Sequence, residues 1–349
     1  MRLFLRPILF AAIPMMFAGS EAYAATKAEL VSTKMIWNQA PRNYDSDIVR
    51  FKDRWLVVCT ESSGEYAQDA VLRVLTSADG VKWESTAEIK STTQGKGLYD
   101  PKLSLMPDGK LMVSAKVVVP NPNSTEPLPR WGGTVTTMAW YSADGVKWGD
   151  VDQIGEMNNP FGRTTWHKGT AYTYGHGRIC GNSQTVGIYV KEKGKGHEIV
   201  YEKTFSGFFP QDAAVVFHGD VAHCLMSRVD DGNTGTVGNA PIGAMLGTSK
   251  APYQKWEWKE LDQKLSFPNL IRLPDQRLLA AVAVSDDKSR TVLGEFDLAT
   301  GKLTELLTLP TNGTCRDVGV TFHDGHVWVS YHGMDDNKMS IHLAKVKLK

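Results

Sequence analysis

Six stretches of this chain share one pattern: an apolar run, a short turn holding Gly, Asp or Lys, and a second apolar run. They are SDIVRFKDRWLVVCTES from Ser46, DPKLSLMPDGKLMVSAKV from Asp100, GRTTWHKGTAYTYGHG from Gly162, QDAAVVFHGDVAHCLMSRV from Gln211, FPNLIRLPDQRLLAAVAV from Phe267 and RDVGVTFHDGHVWVSYHG from Arg316. Apolar runs of this length around such turns predict β-hairpins. Aligned on the apolar residue before the turn (Phe51, Met106, Trp166, Phe217, Leu273 and Phe322), the hairpins recur at intervals of roughly 50–60 residues, as in a repeat architecture.

Further strand-like sequence follows the hairpins: AVLRVLTS, TVTTMAWYS, TVGIYV, IGAMLGTS and TVLGEFDL, then fourth segments such as KWEWKEL and KLTELLTL. Four short strands per unit predict an all-β fold, a six-bladed β-propeller. The sixth hairpin is followed only by MSIHLAKVKLK, so its unit is one strand short, and the spare strand is ELVSTKMIWNQ (Glu29–Gln39). A propeller closed by its own N-terminal strand uses that piece to cover an exposed sheet edge.

Arg2 and Arg6, the apolar run from Pro7 to Ala18 and the small-x-small site Ala22-Tyr23-Ala24 predict a signal peptide over residues 1–24. Residues 25–349 then form the propeller domain of an exported protein, periplasmic or secreted. The apolar run is too short for a membrane span and no second candidate follows, so no span is expected after signal removal. The 349 residues carry a formal net charge of +1 with acids and bases interspersed, which argues against a nucleic-acid partner. Ten Trp, eleven Tyr and 32 Gly fit many strands and tight turns. The spacing of Cys59, Cys180, Cys224 and Cys315 matches no zinc motif. An exported chain admits one disulfide, for which Cys180–Cys315 is the candidate pair. No cofactor is indicated, and the oligomeric state is left open.

The string SADGVKW occurs twice, at Ser77–Trp83 and Ser142–Trp148, each time just after the third strand of a unit. Asp-Gly supplies a tight turn whose amides the Ser and Asp oxygens can hold. Copies in different blades cannot converge on one pocket, so Asp79 and Asp144 read as turn staples rather than catalytic groups.

SADGVKW resembles the Asp-box of sialidases and their relatives, Ser-x-Asp-x-Gly-x-Thr-Trp, with one residue fewer between Asp and Gly. DIVRFKDRW, LTSADGVKW, YDPKLSLMPDGKL, RTTWHKG, PNLIRLPD and HDGHVWVSY resemble bacterial exported proteins labelled sialidase-family or exo-α-sialidase-like, over nearly the whole mature chain. The resemblance implies a sialidase-like six-bladed propeller and a carbohydrate-directed function. Its catalytic pattern carries over in part. Gln211-Asp212 and Arg228 stand where the family's fourth blade has Asn-Glu and an Arg. Asp45-Ser46-Asp47 stands where the first blade has an arginine, and Asn269 is nearest to the fifth-blade arginine. Cys315-Arg316-Asp317-Val318 stands in the place of the sixth-blade Tyr. Arg163 matches an Arg-x-Thr-Trp of the closer relatives. With one arginine of three matched and no nucleophilic Tyr, the pattern points to a glycan-acting relative rather than to a sialidase.

In a propeller the ligand mouth lies near the starts of the innermost strands, here Asp47, Asp100, Arg163, Asp212, Asn269, Arg316 and Asp317. The ends of the second strands add Glu61, His176, Arg178, Arg228, Tyr331 and His332. Asp47, Asp100, Asp212 and Glu61 are the candidate catalytic carboxylates, since most glycosidases place two across the scissile bond. Arg163, Arg228, Arg316, Asn269, His176 and Tyr331 are the candidate glycan-binding residues, arginine offering two parallel hydrogen bonds to a sugar carboxylate. An Asp at the head of an inner strand can equally tie one blade to the next. The functional reading is an exo-acting glycoside hydrolase on an acidic or decorated glycan. The alternative is a non-catalytic glycan- or protein-binding propeller using Trp131 and Phe208-Phe209 as contacts. A lyase using His176 and Tyr331 is a third reading.

Overall fold

The computed structural model describes residues 27–64, 67–92, 96–119, 134–155, 157–178, 184–192, 196–230, 240–311, 313, 315–335 and 337–349. The expected signal peptide, Trp131 and Cys180 lie outside the described residues, as does the side chain of Arg178.

Every regular element among these residues is a β-strand. The first, β1 (Ala28–Trp37), precedes the run β2 (Arg42–Phe51), β3 (Arg54–Ser62), β4 (Val71–Ser77) and β5 (Glu84–Ile89). Four separate four-stranded meanders follow. They are β6 (Gly97–Leu105), β7 (Leu111–Val119), β8 (Thr134–Ser142) and β9 (Gly149–Gln153); then β10 (Phe161–His167), β11 (Thr170–Arg178), β12 (Gln184–Lys191) and β13 (Glu198–Phe205). Next come β14 (Phe209–His218), β15 (Val221–Val229), β16 (Pro241–Lys250) and β17 (Glu257–Leu261); then β18 (Leu265–Arg272), β19 (Leu278–Val284), β20 (Arg290–Asp297) and β21 (Lys302–Thr308). The chain ends with β22 (Gly319–His323), β23 (His326–Asp335) and β24 (Lys338–Leu348). These pair in the order β22-β23-β24, and β1 adds to β24 antiparallel from Ala28↔Leu348 to Trp37↔Ile341. A single parallel pair, Arg42↔Met339, joins this group to β2, so the two groups form one eight-stranded sheet.

The arrangement is a propeller. The first strand of each meander touches the first strand of the next: β2 with β6, β6 with β10, β10 with β14, β14 with β18, β18 with β22, and β22 with β2. The apolar core is divided among the faces between neighbouring sheets. Leu56, Val58 and Leu72 meet Leu103, Val113 and Trp140 on one face. Leu279, Ala281 and Leu293 meet Val320, Val327 and Val329 on another. Strands inside such a stack are buried on both sides and read as continuous apolar runs, as in β19, LLAAVAV, where every residue is buried.

The SADGVKW turns join the sheets. Ser77 Oγ accepts from the Gly80 amide at 2.8 Å, and Asp79 Oδ1 from those of Val81 and Lys82 at 2.8 and 2.9 Å. Ser142 and Asp144 repeat this at Gly145, Val146 and Lys147. Gly80 (φ 73°) and Gly145 (φ 77°) adopt a backbone that favours glycine. A Cβ on Gly80 would sit 2.9 Å from the Trp328 ring, and one on Gly145 2.7 Å from Leu56 Cδ2. Each turn presses on a strand outside its own meander, Trp328 of β23 or Leu56 of β3, which accounts for the repeated glycine.

Cys59, Cys224 and Cys315 are free and buried. The candidate pair Cys180–Cys315 falls partly outside the described residues; Cys315 is free, its Sγ accepting the His332 amide at 3.2 Å and lying 3.1 Å from His332 Nδ1. Among the described residues no helix is long and apolar enough to cross a membrane.

Candidate functional site

The inner hairpins share one irregularity. Their pairing register breaks between Tyr44 and Ser46, Tyr99 and Lys102, Phe161 and Thr164, Gln211 and Ala213, and Ser266 and Asn269. A bulge turns a side chain out of the ladder and re-aims it. Asp45, Asp100, Asp212 and Phe267 sit in these breaks with φ of 47°, 58°, 24° and 53°, and Asp317, just before β22, has φ 49°. Positive φ is tolerated by aspartate better than by most residues, and its recurrence at one structural position marks a functional candidate.

The breaks surround a hollow on the propeller axis, lined among others by Asp100, Lys102, Arg163, Asp212, Asn269 and Asp317. Lys102 Nζ contacts both Asp100 Oδ1 and Asp317 Oδ1, the latter at 2.5 Å. Lys116 Nζ lies 2.5 Å from Asp100 Oδ2 and 3.8 Å from Asp212 Oδ1. Arg316 Nε is 4.0 Å from Asp45 Oδ1. The room left is about 20 Å³, enough for a water and far too little for a sugar ring. A larger ligand has to sit over the hollow and touch the tips of these side chains.

The groups are electrostatically distinct. Burial raises the Asp100 pKa, but Lys102 and Lys116 outweigh it and hold this carboxyl well below the usual range. Burial and then the Asp100 charge push Asp317 well above it, against Lys102. Burial lifts Asp45 to about 6, opposed by Arg316. Burial lowers His176 to about 4, and Lys116 adds to the effect, so its imidazole is neutral. His176 Nδ1 and the hydroxyl of Tyr174, both enclosed, have no hydrogen-bond partner among the described residues.

Of the sequence-predicted residues, Asp100, Asp212, Arg163 and Asn269 line the hollow, and His176 feels the charges of Lys116, Asp212 and Asp100. Asn269 also ties neighbouring strands, its Nδ2 donating to Val318 O at 2.9 Å. Arg163 Nη1 is held 2.6 Å from Asp47 Oδ2. Four placements require correction. Asp47, 1% exposed, accepts the Leu103 amide at 2.6 Å and so ties β2 to β6 instead of facing the hollow. Glu61 accepts from Trp37 Nε1 and Arg73 Nη2, each at 2.7 Å, so it clamps β1 against β3 and β4. Arg228 pairs with Glu260 at 2.9 Å over the Phe208 ring, outside the hollow's lining. Tyr331 is 1% exposed; its hydroxyl shares a 2.7 Å hydrogen bond with Thr33 and its ring stacks on His342, so it serves the packing of β1 and cannot partner His176 as a lyase acid. Phe208 is buried as well, which removes it as a binding platform.

Asp45, Lys102 and Lys116 escaped the sequence reading. The available signal was a lone Lys inside an apolar strand, in DPKLSL and VSAKVVV: a charge at a two-sided buried position needs a partner. Asp45 was masked by Asp47, two residues on. Among the described residues no three His, Cys, Asp or Glu side chains group as metal ligands; the axial carboxylates face ammonium groups.

No family model matches the sequence, and no curated protein matches it. Solved structures do share its fold. A protein of unknown function from Dyadobacter fermentans superposes with a TM-score of 0.74 at 15% identity, over 92% of this chain and 99% of that one. An α-L-arabinofuranosidase from Fusarium graminearum, solved with an iminosugar inhibitor, gives 0.69 at 13%, over 91% and 98%. The Trypanosoma rangeli sialidase gives 0.61 at 12%, covering 92% of this chain and 59% of its own. Identities this low establish the propeller fold and leave activity to be argued from the site.

Proposed function

We propose that this protein is an exported, glycan-acting hydrolase whose site is the axial mouth. We read the eight-stranded sheet as two blades joined by one parallel bridge, and the ring of contacts between first strands supports a six-bladed propeller on that reading. The observation that carries the reading is the convergence of Asp100 and Asp212 on Lys116 at the axis, with Arg163 beside them. The similarity in fold to an arabinofuranosidase and a sialidase supports a sugar as ligand.

The carboxylate spacing is compatible with a retaining mechanism. The facing oxygens of Asp100 and Asp212 are no farther apart than their two contacts to Lys116 laid end to end, 2.5 and 3.8 Å. Inverting pairs stand roughly 6.5–9.5 Å apart to admit a water, and retaining pairs about 5–5.5 Å. An acid on one side and Asp212 as nucleophile on the other predict retention. Arg163 and Arg316 would hold an acidic or hydroxyl-rich sugar over the mouth.

The test is a screen of the purified mature protein against arabinan-derived oligosaccharides, sialosides and other acidic glycans. Turnover is expected with the product anomer retained, by NMR, and with a loss of at least about a hundredfold in kcat for Asp212→Asn. Inversion would overturn the pairing. Glycan binding without turnover would favour the binding propeller, a reading the narrow, fully ion-paired hollow also suits.

A further inference from the structure

We propose that Asp317 is the proton-bearing acid of this site, that Lys102 is a positioning residue bridging it to Asp100, and that Lys116, in contact with Asp100 and not with Asp317, keeps the proton off Asp100. The inference rests on the proposed glycan-hydrolysing function and adds a residue and a division of labour to it.

The carboxyls of Asp100 and Asp317 both touch one ammonium nitrogen, Lys102 Nζ, which holds the two acids side by side. Two like charges held this close on one cation disfavour full ionisation, so one of the pair is favoured in the neutral form. The cations decide which. Asp100 faces two ammonium groups, Lys102 on Oδ1 and Lys116 on Oδ2. Asp317 touches Lys102, and among the described residues Lys116 reaches it only through its charge, without an ion-pair contact. The other charges near Asp317 are Asp45 from β2 and its own neighbour Arg316, which is turned toward Asp45. Arg163 approaches Lys102 from β10, and Asp212 approaches Lys116 from β14. The ionised form is therefore best supported at Asp100 and least at Asp317, and burial drives Asp317 in the same direction. Asp45, a residue 4% exposed whose Oδ1 has no hydrogen-bond partner among the described residues and faces Arg316 only at 4.0 Å, adds negative character beside the pair.

The pair then counts once, as a single acid. When a glycosidic C–O bond breaks, the proton of Asp317 passes to the departing oxygen while Asp212 forms the new bond to the sugar carbon. Water attacking that carbon releases Asp212 and returns a proton to Asp317. Lys102 holds the two transiently ionised carboxylates in place.

Infrared difference spectroscopy tests this without a substrate. At pH 7.5 the wild type is expected to show the carbonyl stretch of a protonated carboxyl, absent in Asp317→Asn and kept in Asp212→Asn. In Lys102→Met, which loses the shared cation, the band should persist to a higher pH than in wild type, a change that loss of packing alone does not produce. Thermal unfolding establishes that each variant is folded. A band that survives Asp317→Asn and disappears in Asp100→Asn would overturn the assignment, as would no such band in wild type. Given a substrate, Asp317→Asn should lose at least about a hundredfold on glycosides with poor leaving groups and little on activated aryl glycosides; equal losses on both would also overturn it. A protein that shows the band yet turns over no glycan would sink the proposed function and leave the proton assignment standing.

Discussion

Asp79 shows how one side chain can resemble catalytic machinery and be structural. Its carboxylate accepts the amides of Lys82 and Val81, and these bonds, Lys82 first, lower its pKa to about 2. In an unfolded chain an aspartate titrates near about 3.9. The native state thus binds this proton less readily than the unfolded state does. The staple's contribution is complete above about pH 4 and is lost as pH falls toward about 2. Asp79→Ala is expected to lower the denaturation midpoint at pH 7, with the gap to wild type closing between pH 4 and 2 and turnover unchanged. A gap independent of pH, or a loss of activity with full stability, would show that the residue does something else. Asp100 and Asp212 are the opposite case. Their backbones are strained and their charges are opposed by lysines from β6 and β7, an arrangement with no obvious gain for folding that is typical of a working site.

At the scale of the strands, the hairpins and third strands were legible because two-sided burial writes continuous apolar runs between turn residues. SDIVRFKDRWLVVCTES became β2 and β3, and TVLGEFDL contains most of β20. The inner-strand bulges were not legible. A bulge changes which residue of Asp45-Ser46-Asp47 faces the axis without changing the residues themselves, so Asp47 drew attention and Asp45 did not. Likewise Glu61 lies near the end of β3, as a site residue would, and Tyr331 midway along β23, but their partners Trp37 and Thr33 both come from the closing strand β1. That contact sets a test for the strand that completes the last sheet. Glu61→Gln weakens the charge-assisted hold on Trp37 and Arg73 and should cost about 1–3 kcal/mol in chemical denaturation, with little change in kcat. A collapse of kcat at unchanged stability would restore Glu61 to the catalytic candidates.

For the whole molecule, the ring of first strands explains how residues from distant parts of the sequence meet. Each sheet buries its faces against its neighbours, the hairpin starts are left pointing at one axis, and the bulges aim charged tips into the hollow there. The closing strand β1 covers the edge of β24, so chain closure and site geometry depend on the same ring. The most direct measurement is a crystal structure of the protein soaked with whichever glycan the screen identifies. The sugar is expected over the axial mouth, within hydrogen-bond distance of Arg163 and Asp212 and with its glycosidic oxygen facing the Asp100–Asp317 pair. A sugar bound elsewhere on the propeller, with the axial lysine–aspartate contacts closed beneath solvent, would contradict it.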